Sequence, residues 1–146
     1  MHPFPLPAAS LLPQRPPMLL LGNLLSCTAL EGKADARIDA GNLFRLPDDT
    51  IHGAALFELM AQGYAAVHGY QNTLAGKPVS IGYLAGITSA AVRGVARVGD
   101  LLLITVRQTA SVPPFVRAHA LIERDGETVA EGELTLFVPP AAEGAA

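Results

Sequence analysis

The chain lacks several features that would assign it to a common functional class. Its 146 residues include one cysteine, Cys27, so the sequence offers no intrachain disulfide and no metal site built on paired cysteines. Ten Lys and Arg residues stand against thirteen Asp and Glu, without a basic run, which argues against a nucleic-acid partner. No apolar run reaches the ~18 residues that span a bilayer, so we expect no membrane partner either.

Motifs for cofactors are absent from the sequence as well. It contains no G-x-G-x-x-G or P-loop pattern, and its four histidines are dispersed without clustered carboxylates. We therefore expect neither a cofactor nor a metal. The proline-rich start MHPFPLPAASLLPQRPP does not resemble the apolar core of a signal peptide, and the lone cysteine suits a reducing compartment, which together predict a cytoplasmic protein.

Apolar residues are plentiful. They make up 50% of the chain and charged residues only 16%, which excludes a disordered protein and predicts that some apolar surface covers a subunit interface or a lipid-like ligand. The length fits one domain over residues 1–146, with the ends 1–10 and 139–146 loosely ordered.

One long helix is predicted from about Thr50 to Tyr70. The capping residues Asp48, Asp49 and Thr50 precede it, and Gly69 marks its expected end. Its apolar side chains fall all round the helical wheel at about 100° per residue, which predicts that the helix is buried.

Strand-like segments flank this helix on both sides. The Asp125-Gly126 pair predicts a tight hairpin, and Glu131 and Glu133 alternate with apolar residues along the last strand. These features predict an α+β fold in which an antiparallel sheet wraps around one long buried helix. The predicted strands are Met18–Cys27, Lys33–Ala40, VSIGYLAGITSAAVRG, DLLLITVRQTA, FVRAHALIE and TVAEGELTLFV.

Glu58 is the strongest candidate for chemistry, because it interrupts the apolar run GAALFELMAQ. A glutamate in an apolar helix becomes a better proton donor near neutral pH, since desolvation disfavours its charged form. The alternative is a carboxylate at a dimer seam, paired with a backbone N–H or an arginine. Gln62 lies one turn further on and can orient Glu58 by a hydrogen bond.

The helix start offers a second group of candidates. His52 titrates in a range suited to proton transfer, and the free N–H groups of Gly53 and Ala54 could hold a thioester carbonyl oxygen. The alternatives are a surface or capping histidine and a glycine that serves only capping or packing. His68, near the helix end, is interpreted as complementing the helix dipole.

The order of these segments resembles the hot-dog-fold 3-hydroxyacyl-acyl carrier protein dehydratases. LLPQRPPMLLLGNLL is similar to that family's opening, GAALFELMAQ to its helix start, YLAGITSAAVRGVARVGDLLLITV to its next strands and DGETVAEGELTLFV to its final hairpin. The resemblance spans residues 11 to 138. It is closer still to the divergent dehydratase-like proteins of aryl polyene biosynthesis, which share the RPPMLLL opening and a helix acid followed by Met-Ala-Gln.

The resemblance implies an acyl-thioester dehydratase, active in fatty acid or polyene biosynthesis, that acts on 3-hydroxyacyl or trans-2-enoyl chains carried by acyl carrier protein or coenzyme A. Glu58 is then the acid, His52 a replacement base, and Gly53 the carbonyl holder. The family's histidine stands fourteen residues before the helix acid, a spacing that leads to Phe44 here.

Phenylalanine cannot move a proton, which favours a second hypothesis, that the chain is a non-catalytic hot-dog subunit that pairs with an active dehydratase. A third hypothesis is a thioesterase on the same fold that uses Glu58 as base or nucleophile. The resemblance implies a homodimer or a heterodimer with another hot-dog chain.

Overall fold

The computed structural model describes residues 3–140 of the chain. A short two-residue strand and a 3-10 turn, Ala8–Ser10, open the chain, and a single long helix separates two further strands from the last four. The elements are β1 (Leu6–Pro7), β2 (Asn23–Cys27), β3 (Glu31–Arg37), α1 (Ala54–Leu74), β4 (Tyr83–Val92), β5 (Leu101–Val112), β6 (Phe115–Arg124) and β7 (Glu127–Phe137).

The strands form one antiparallel sheet in the order β1-β2-β3-β5-β6-β7-β4. The helix α1 packs against one face of this sheet, so the apolar side chains that alternate along β3, β5, β6 and β7 meet it in a common core. This confirms the α+β prediction and the hot-dog fold that the resemblance implies.

The last hairpin has the local structure that its sequence predicts. Asp125 and Gly126 both have positive φ, at 52° and 80°, as the turn between two directly joined strands requires. Along β7, Leu134 and Leu136 are buried while Glu131 and Glu133 are only half-buried, so the alternation of the strand separates core from solvent.

The helix boundaries differ from those predicted. The helix begins at Ala54, not Thr50, because Thr50 and Ile51 form isolated bridges to Arg97 and Arg45 that keep this stretch extended. It also continues past Gly69 to Leu74. Gly69 serves close packing instead of termination, since a Cβ there would overlap the backbone oxygen of Leu11.

The segment 8–22 crosses α1 and is anchored at several points. Ala8, Leu11 and Leu12 are buried, and Phe4 packs its ring against Tyr70 with centroids 5.1 Å apart. Only Asn23–Cys27 of the predicted strand Met18–Cys27 is a strand. Before it, backbone groups of Met18, Leu20 and Leu21 bind the side chain of Gln62 on α1 instead of a neighbouring strand.

The loosely ordered C-terminal end was predicted for residues 139–146, of which 141–146 lie outside the described part.

The strand β4 forms one edge of the sheet and pairs only with β7. Tyr83, Leu84 and Val92 are exposed on it, and Val79 and Ile81 are exposed in the segment before it. A long, apolar edge strand is an unusual surface for an isolated subunit.

Within residues 3–140, no helix combines the length and the apolar character that crossing a membrane requires.

Candidate active site

Glu58 lies on the least covered face of the helix. Leu56, Leu59 and Met60 around it are buried, whereas Glu58 and Ala61 are half-buried. The face continues along the helix at spacings of three and four residues, which place side chains on one side of an α-helix. Its half-buried members are Phe57, Glu58, Ala61, Ala65, His68 and Asn72.

Gln62 fixes Glu58 to the opening segment. Its side chain is 0% exposed, and its Nε2 donates to Oε1 of Glu58 at 2.9 Å and to the backbone oxygen of Met18 at 2.7 Å. Its Oε1 accepts the backbone N–H groups of Leu20 at 2.9 Å and Leu21 at 3.1 Å. Both amide protons and the amide oxygen of Gln62 are thus occupied, so the buried side chain is fully satisfied and its orientation is set.

Glu58 opens into a small cavity of about 90 Å³ between the helix, the opening segment and the strands β4 and β7. Ala61 and Ala65 leave its floor open because their side chains are short. The other lining residues are Gln14, Tyr64, His68, Ser80, Gly82, Leu84, Leu136 and Val138. A cavity with both polar and apolar lining and a carboxylate on its wall suits an acyl chain that carries a polar group near Glu58.

The N–H groups at the helix start could bind an anion or a carbonyl oxygen, but the side chain of His52 already occupies one of them. Nδ1 of His52 accepts the N–H of Ala54 at 3.0 Å, so the neutral ring carries its hydrogen on Nε2. The N–H of Gly53 has no acceptor among the described residues, and a Cβ at Gly53 would meet no atom within 4 Å. Gly53 therefore leaves open space beside a free amide, while the Ala54 amide is capped.

His52 and Phe44 lie side by side. The N–H of His52 donates to the backbone oxygen of Phe44 at 3.0 Å, and the neighbouring residues Arg45 and Ile51 form an antiparallel bridge. Phe44 is half-buried against the core, whereas His52 is exposed. No hydrogen bond or ion pair joins His52 to Glu58 within residues 3–140.

The far end of the cavity holds His68, which the sequence analysis assigned to the helix dipole, and Ser80, which it did not single out. Nε2 of His68 lies 3.0 Å from Oγ of Ser80, which also accepts a hydrogen bond from Asn72 at 3.2 Å. The ring of His68 stacks on that of Tyr64, with centroids 6.1 Å apart. Burial, and then the charge of Lys77, lower the pKa of His68, which disfavours the positive charge that a helix dipole would attract. His68 is thus a cavity residue.

Gln14 was also missed, although it stands in the quoted segment LLPQRPP. Gln14 lines the cavity, and its Oε1 is buried without a hydrogen-bond partner among the described residues. No sequence signal distinguishes it from a surface glutamine. Metal binding has no support in residues 3–140, because no three His, Cys, Asp or Glu side chains come together there.

Comparison with known proteins supports the assignment that fold and site suggest. A family model described as ApeP-like, ApeP dehydratase, matches residues 6–146. The chain belongs to the ApeP-like family. The resemblance to dehydratases of aryl polyene biosynthesis is thereby confirmed, and with it the dehydratase-like function. No curated protein matches the chain.

Solved structures agree with the fold of this ApeP-like chain. The dehydratase heterocomplex ApeI:P from Xenorhabdus doucetiae matches with a TM-score of 0.86 and 20% identity over 93% of both chains. The PaaI protein of E. coli matches with a TM-score of 0.62 and 16% identity over 78% of this chain and 80% of the other. Zebrafish thioesterase superfamily member 2 matches with a TM-score of 0.63 and 15% identity over 80% of each.

Proposed function

We propose that this ApeP-like chain supplies the acid half of a dehydratase site for 3-hydroxyacyl thioesters, with Glu58 as the general acid. The observation that carries the proposal is the Glu58 carboxylate at the wall of a cavity with both polar and apolar lining, held by the fully bonded, buried Gln62. A side chain positioned this firmly beside space for an acyl chain is suited to proton transfer, because geometry comes before acidity in general acid catalysis.

The reaction needs two proton transfers. A base removes the C2 proton, the C2–H electron pair forms the C2=C3 double bond, and the C3–O bond breaks as Glu58 protonates the departing hydroxyl to give water. The free N–H of Gly53 at the helix start is the donor we assign to the thioester oxygen, since charge develops there as C2 loses its proton. Ala54 joins it once the ring of His52 turns away.

A histidine from a second hot-dog chain is the base that we favour. The position that the family histidine would occupy holds Phe44, and the imidazole of His52 is engaged at its own helix start. The apolar edge strand β4 and the half-buried helix face with Glu58 are surfaces that a second subunit would cover. ApeI:P, a heterocomplex of dehydratase chains, supports an arrangement of two subunits.

His52 of this chain remains the second candidate for the base. Its backbone hydrogen bond to Phe44 brings it next to the position of the family histidine, and its exposed ring is open to a substrate or a neighbouring subunit. In a homodimer, His52 of one subunit would then serve Glu58 of the other. The substrate is a 3-hydroxyacyl or trans-2-enoyl chain on acyl carrier protein or coenzyme A.

Substitution of Glu58 by Gln tests the acid. The substitution keeps the shape and a hydrogen bond to Gln62 but removes the titrating proton, so hydration of a trans-2-enoyl thioester should fall about 100-fold or more. Glu127→Gln, at the exposed hairpin, is the matched control and should keep full activity. Unchanged turnover in folded Glu58→Gln protein would remove Glu58 from the mechanism.

The source of the base is tested by assaying the isolated chain with and without a second hot-dog chain. An inert chain that becomes active only with the partner supports a base from the partner. Activity of the chain alone that is lost in His52→Ala supports His52 instead. Release of free thiol from a saturated acyl thioester, with no hydration, would point to the thioesterase hypothesis.

Association through the β4 edge is tested by light scattering at micromolar concentration. We expect a dimer, or a higher oligomer built from dimers, and Leu84→Asp should weaken it because a charge would enter the buried seam. Lys33→Asp, on an exposed position of β3, controls for the added charge. A stable monomer of the unmodified chain that hydrates enoyl thioesters at full rate would contradict a site shared between subunits.

A further inference from the structure

Gln14 is the described residue whose buried polar atom has no partner. Its Oε1 is shielded from solvent and accepts no hydrogen bond from any described residue. A buried acceptor left without a donor costs about 1–3 kcal/mol, so such groups in folded proteins call for a specific explanation. One explanation is a ligand that supplies the missing donor.

The position of Gln14 is set by its chain neighbours. On one side, Leu11 fits its backbone against Gly69, where no Cβ stands in the way. On the other side, Met18 is bonded to Gln62 at 2.7 Å. Arg15 also binds the backbone oxygen of Leu12 at 2.9 Å, which tightens the turn between these anchors. The backbone of Gln14 is therefore held beside the cavity on both sides.

Gln14 and Glu58 both line the same cavity. In a cavity of about 90 Å³, a group bound beside Glu58 also lies close to Gln14. A single small group that both donates and accepts hydrogen bonds would satisfy Gln14 and meet Glu58 together. A hydroxyl group has this capacity, whereas a carbonyl or a hydrocarbon lacks the donor.

We propose that Gln14 is a substrate-binding residue whose Oε1 accepts the hydrogen of the substrate's C3 hydroxyl while Glu58 faces the oxygen of that hydroxyl. The inference rests on the function proposed above and names a contact within that site.

The division of roles follows from the two side chains. The amide oxygen of Gln14 accepts the hydroxyl hydrogen and turns the oxygen lone pair towards the proton of Glu58. When the C3–O bond breaks, its electron pair stays on oxygen, which takes the proton of Glu58 and leaves as water. In the reverse direction, Gln14 and the Glu58 carboxylate accept the two hydrogens of the attacking water, so its oxygen faces C3.

The test compares two ligands that differ only in the hydroxyl, 3-hydroxyoctanoyl-coenzyme A and octanoyl-coenzyme A. Their affinities are measured by calorimetry on the Glu58→Gln protein, which prevents turnover, with and without Gln14→Met. The oligomeric form in which the protein is isolated is used throughout. We expect the preference for the hydroxylated ligand to fall about tenfold in Gln14→Met, with binding of octanoyl-coenzyme A unchanged.

The stability of Gln14→Met distinguishes substrate binding from a purely structural role, because a structural role predicts that the substitution lowers the urea midpoint. Because Oε1 of Gln14 is unpaired in the free protein, Gln14→Met should leave the urea midpoint unchanged or raise it while hydration of trans-2-octenoyl-coenzyme A slows about tenfold. Gln71→Met, whose side chain lies outside this cavity, is the matched control and should keep both activity and ligand preference. Gln14→Leu replaces Gln14→Met if the latter does not fold.

The outcomes separate this inference from the function on which it rests. An unchanged preference in Gln14→Met, with turnover still lost in Glu58→Gln, overturns the role of Gln14 and leaves that of Glu58 intact. A lower urea midpoint together with equal loss of both ligands also overturns it, because Gln14 would then be structural. Absence of binding and turnover in the unmodified protein, both alone and together with a second hot-dog chain, overturns the proposed function and this inference with it.

Discussion

The two polar ends of the cavity are held by different kinds of hydrogen bond. At the carboxylate end, Gln62 binds Glu58 and backbone groups of the opening segment. At the imidazole end, the hydrogen bonds of His68 and Ser80 join side chains alone. Gln62 forms four hydrogen bonds, three of them to backbone groups of the opening segment. Ser80 links His68 and Asn72 to a segment without helix or strand between α1 and β4.

We propose that the two ends have separate tasks. About 15 Å of helix rise separates Glu58 from His68, too far for both to act on adjacent substrate carbons. The rigid end is suited to proton transfer, which depends on precise placement. The imidazole end, walled in part by Leu84 of the edge strand, is suited to contact with the far part of an acyl chain and to adjustment when a second subunit binds.

The comparison is tested most strongly by Gln62→Leu. The substitution leaves the N–H groups of Leu20 and Leu21 and the oxygen of Met18 without their partner, so we expect a loss of about 3 kcal/mol or more in the free energy of unfolding. Urea denaturation measures it. Gln62→Glu, which keeps the acceptor, should cost less. If Gln62→Leu lost less free energy of unfolding than Ser80→Ala, the contrast between the two ends would be contradicted.

Gly69→Ala tests the packing that holds the opening segment at the carboxylate end. The added Cβ would overlap the oxygen of Leu11, a backbone atom, so the segment must shift and stability should fall by about 1–3 kcal/mol. Thermal unfolding measures the change. Gly86→Ala, where a Cβ would meet nothing within 4 Å, is the control. Equal stability of the two variants would show that the opening segment adapts freely.

Ser80→Ala tests the imidazole end. It removes the hydrogen bond between Ser80 and His68 and the one that Asn72 donates, at a half-buried position, and a net loss of about 1 kcal/mol or less is expected because water can replace the hydroxyl. Urea denaturation detects it. Short acyl thioesters should be hydrated at the normal rate, while the KM for long ones changes. A drop in turnover for short substrates as large as that of Glu58→Gln would contradict the separation of tasks.

The smallest effect concerns pH. Because burial lowers the pKa of His68 in the folded chain, the unfolded chain binds more protons between that lowered pKa and the ordinary histidine value of about 6.5. Stability should therefore fall as pH drops from about 6.5 and level off below the folded pKa. The difference between wild type and His68→Gln in urea midpoints isolates this contribution. A wild-type urea midpoint that falls relative to that of His68→Gln as pH rises towards 6.5 would contradict this direction.

Local sequence patterns predicted the fold because each depends on neighbours in the chain. The Asp125-Gly126 turn and the alternation along β7 were visible as short-range signals. The helix carries apolar side chains on all its sides, so it was expected to be buried. The same patterns misplaced the helix ends. Thr50 is extended because it bridges Arg97, and Gly69 is helical because Leu11 packs on it, and both contacts join distant parts of the chain.

The candidate site was predictable only where composition made a residue anomalous. Glu58 stood out as a charge in an apolar run, and Gln62 followed from its helical spacing. Gln14 and His68 carried no such signal, because a glutamine before an arginine and a histidine near a helix end are common on surfaces. Their importance comes from lining the cavity of Glu58.

The sequence by itself determined the element types, the single buried helix and the acid on it, since these follow from apolar periodicity, turn residues and the cost of burying charge. The tertiary structure alone decided which polar atoms meet. It brought Met18, Leu20 and Leu21 to Gln62, left the oxygen of Gln14 unpaired beside Glu58, and turned His52 back on its own helix start. Hydrogen bonds act over about 3 Å, so only the folded path of the chain selects their partners.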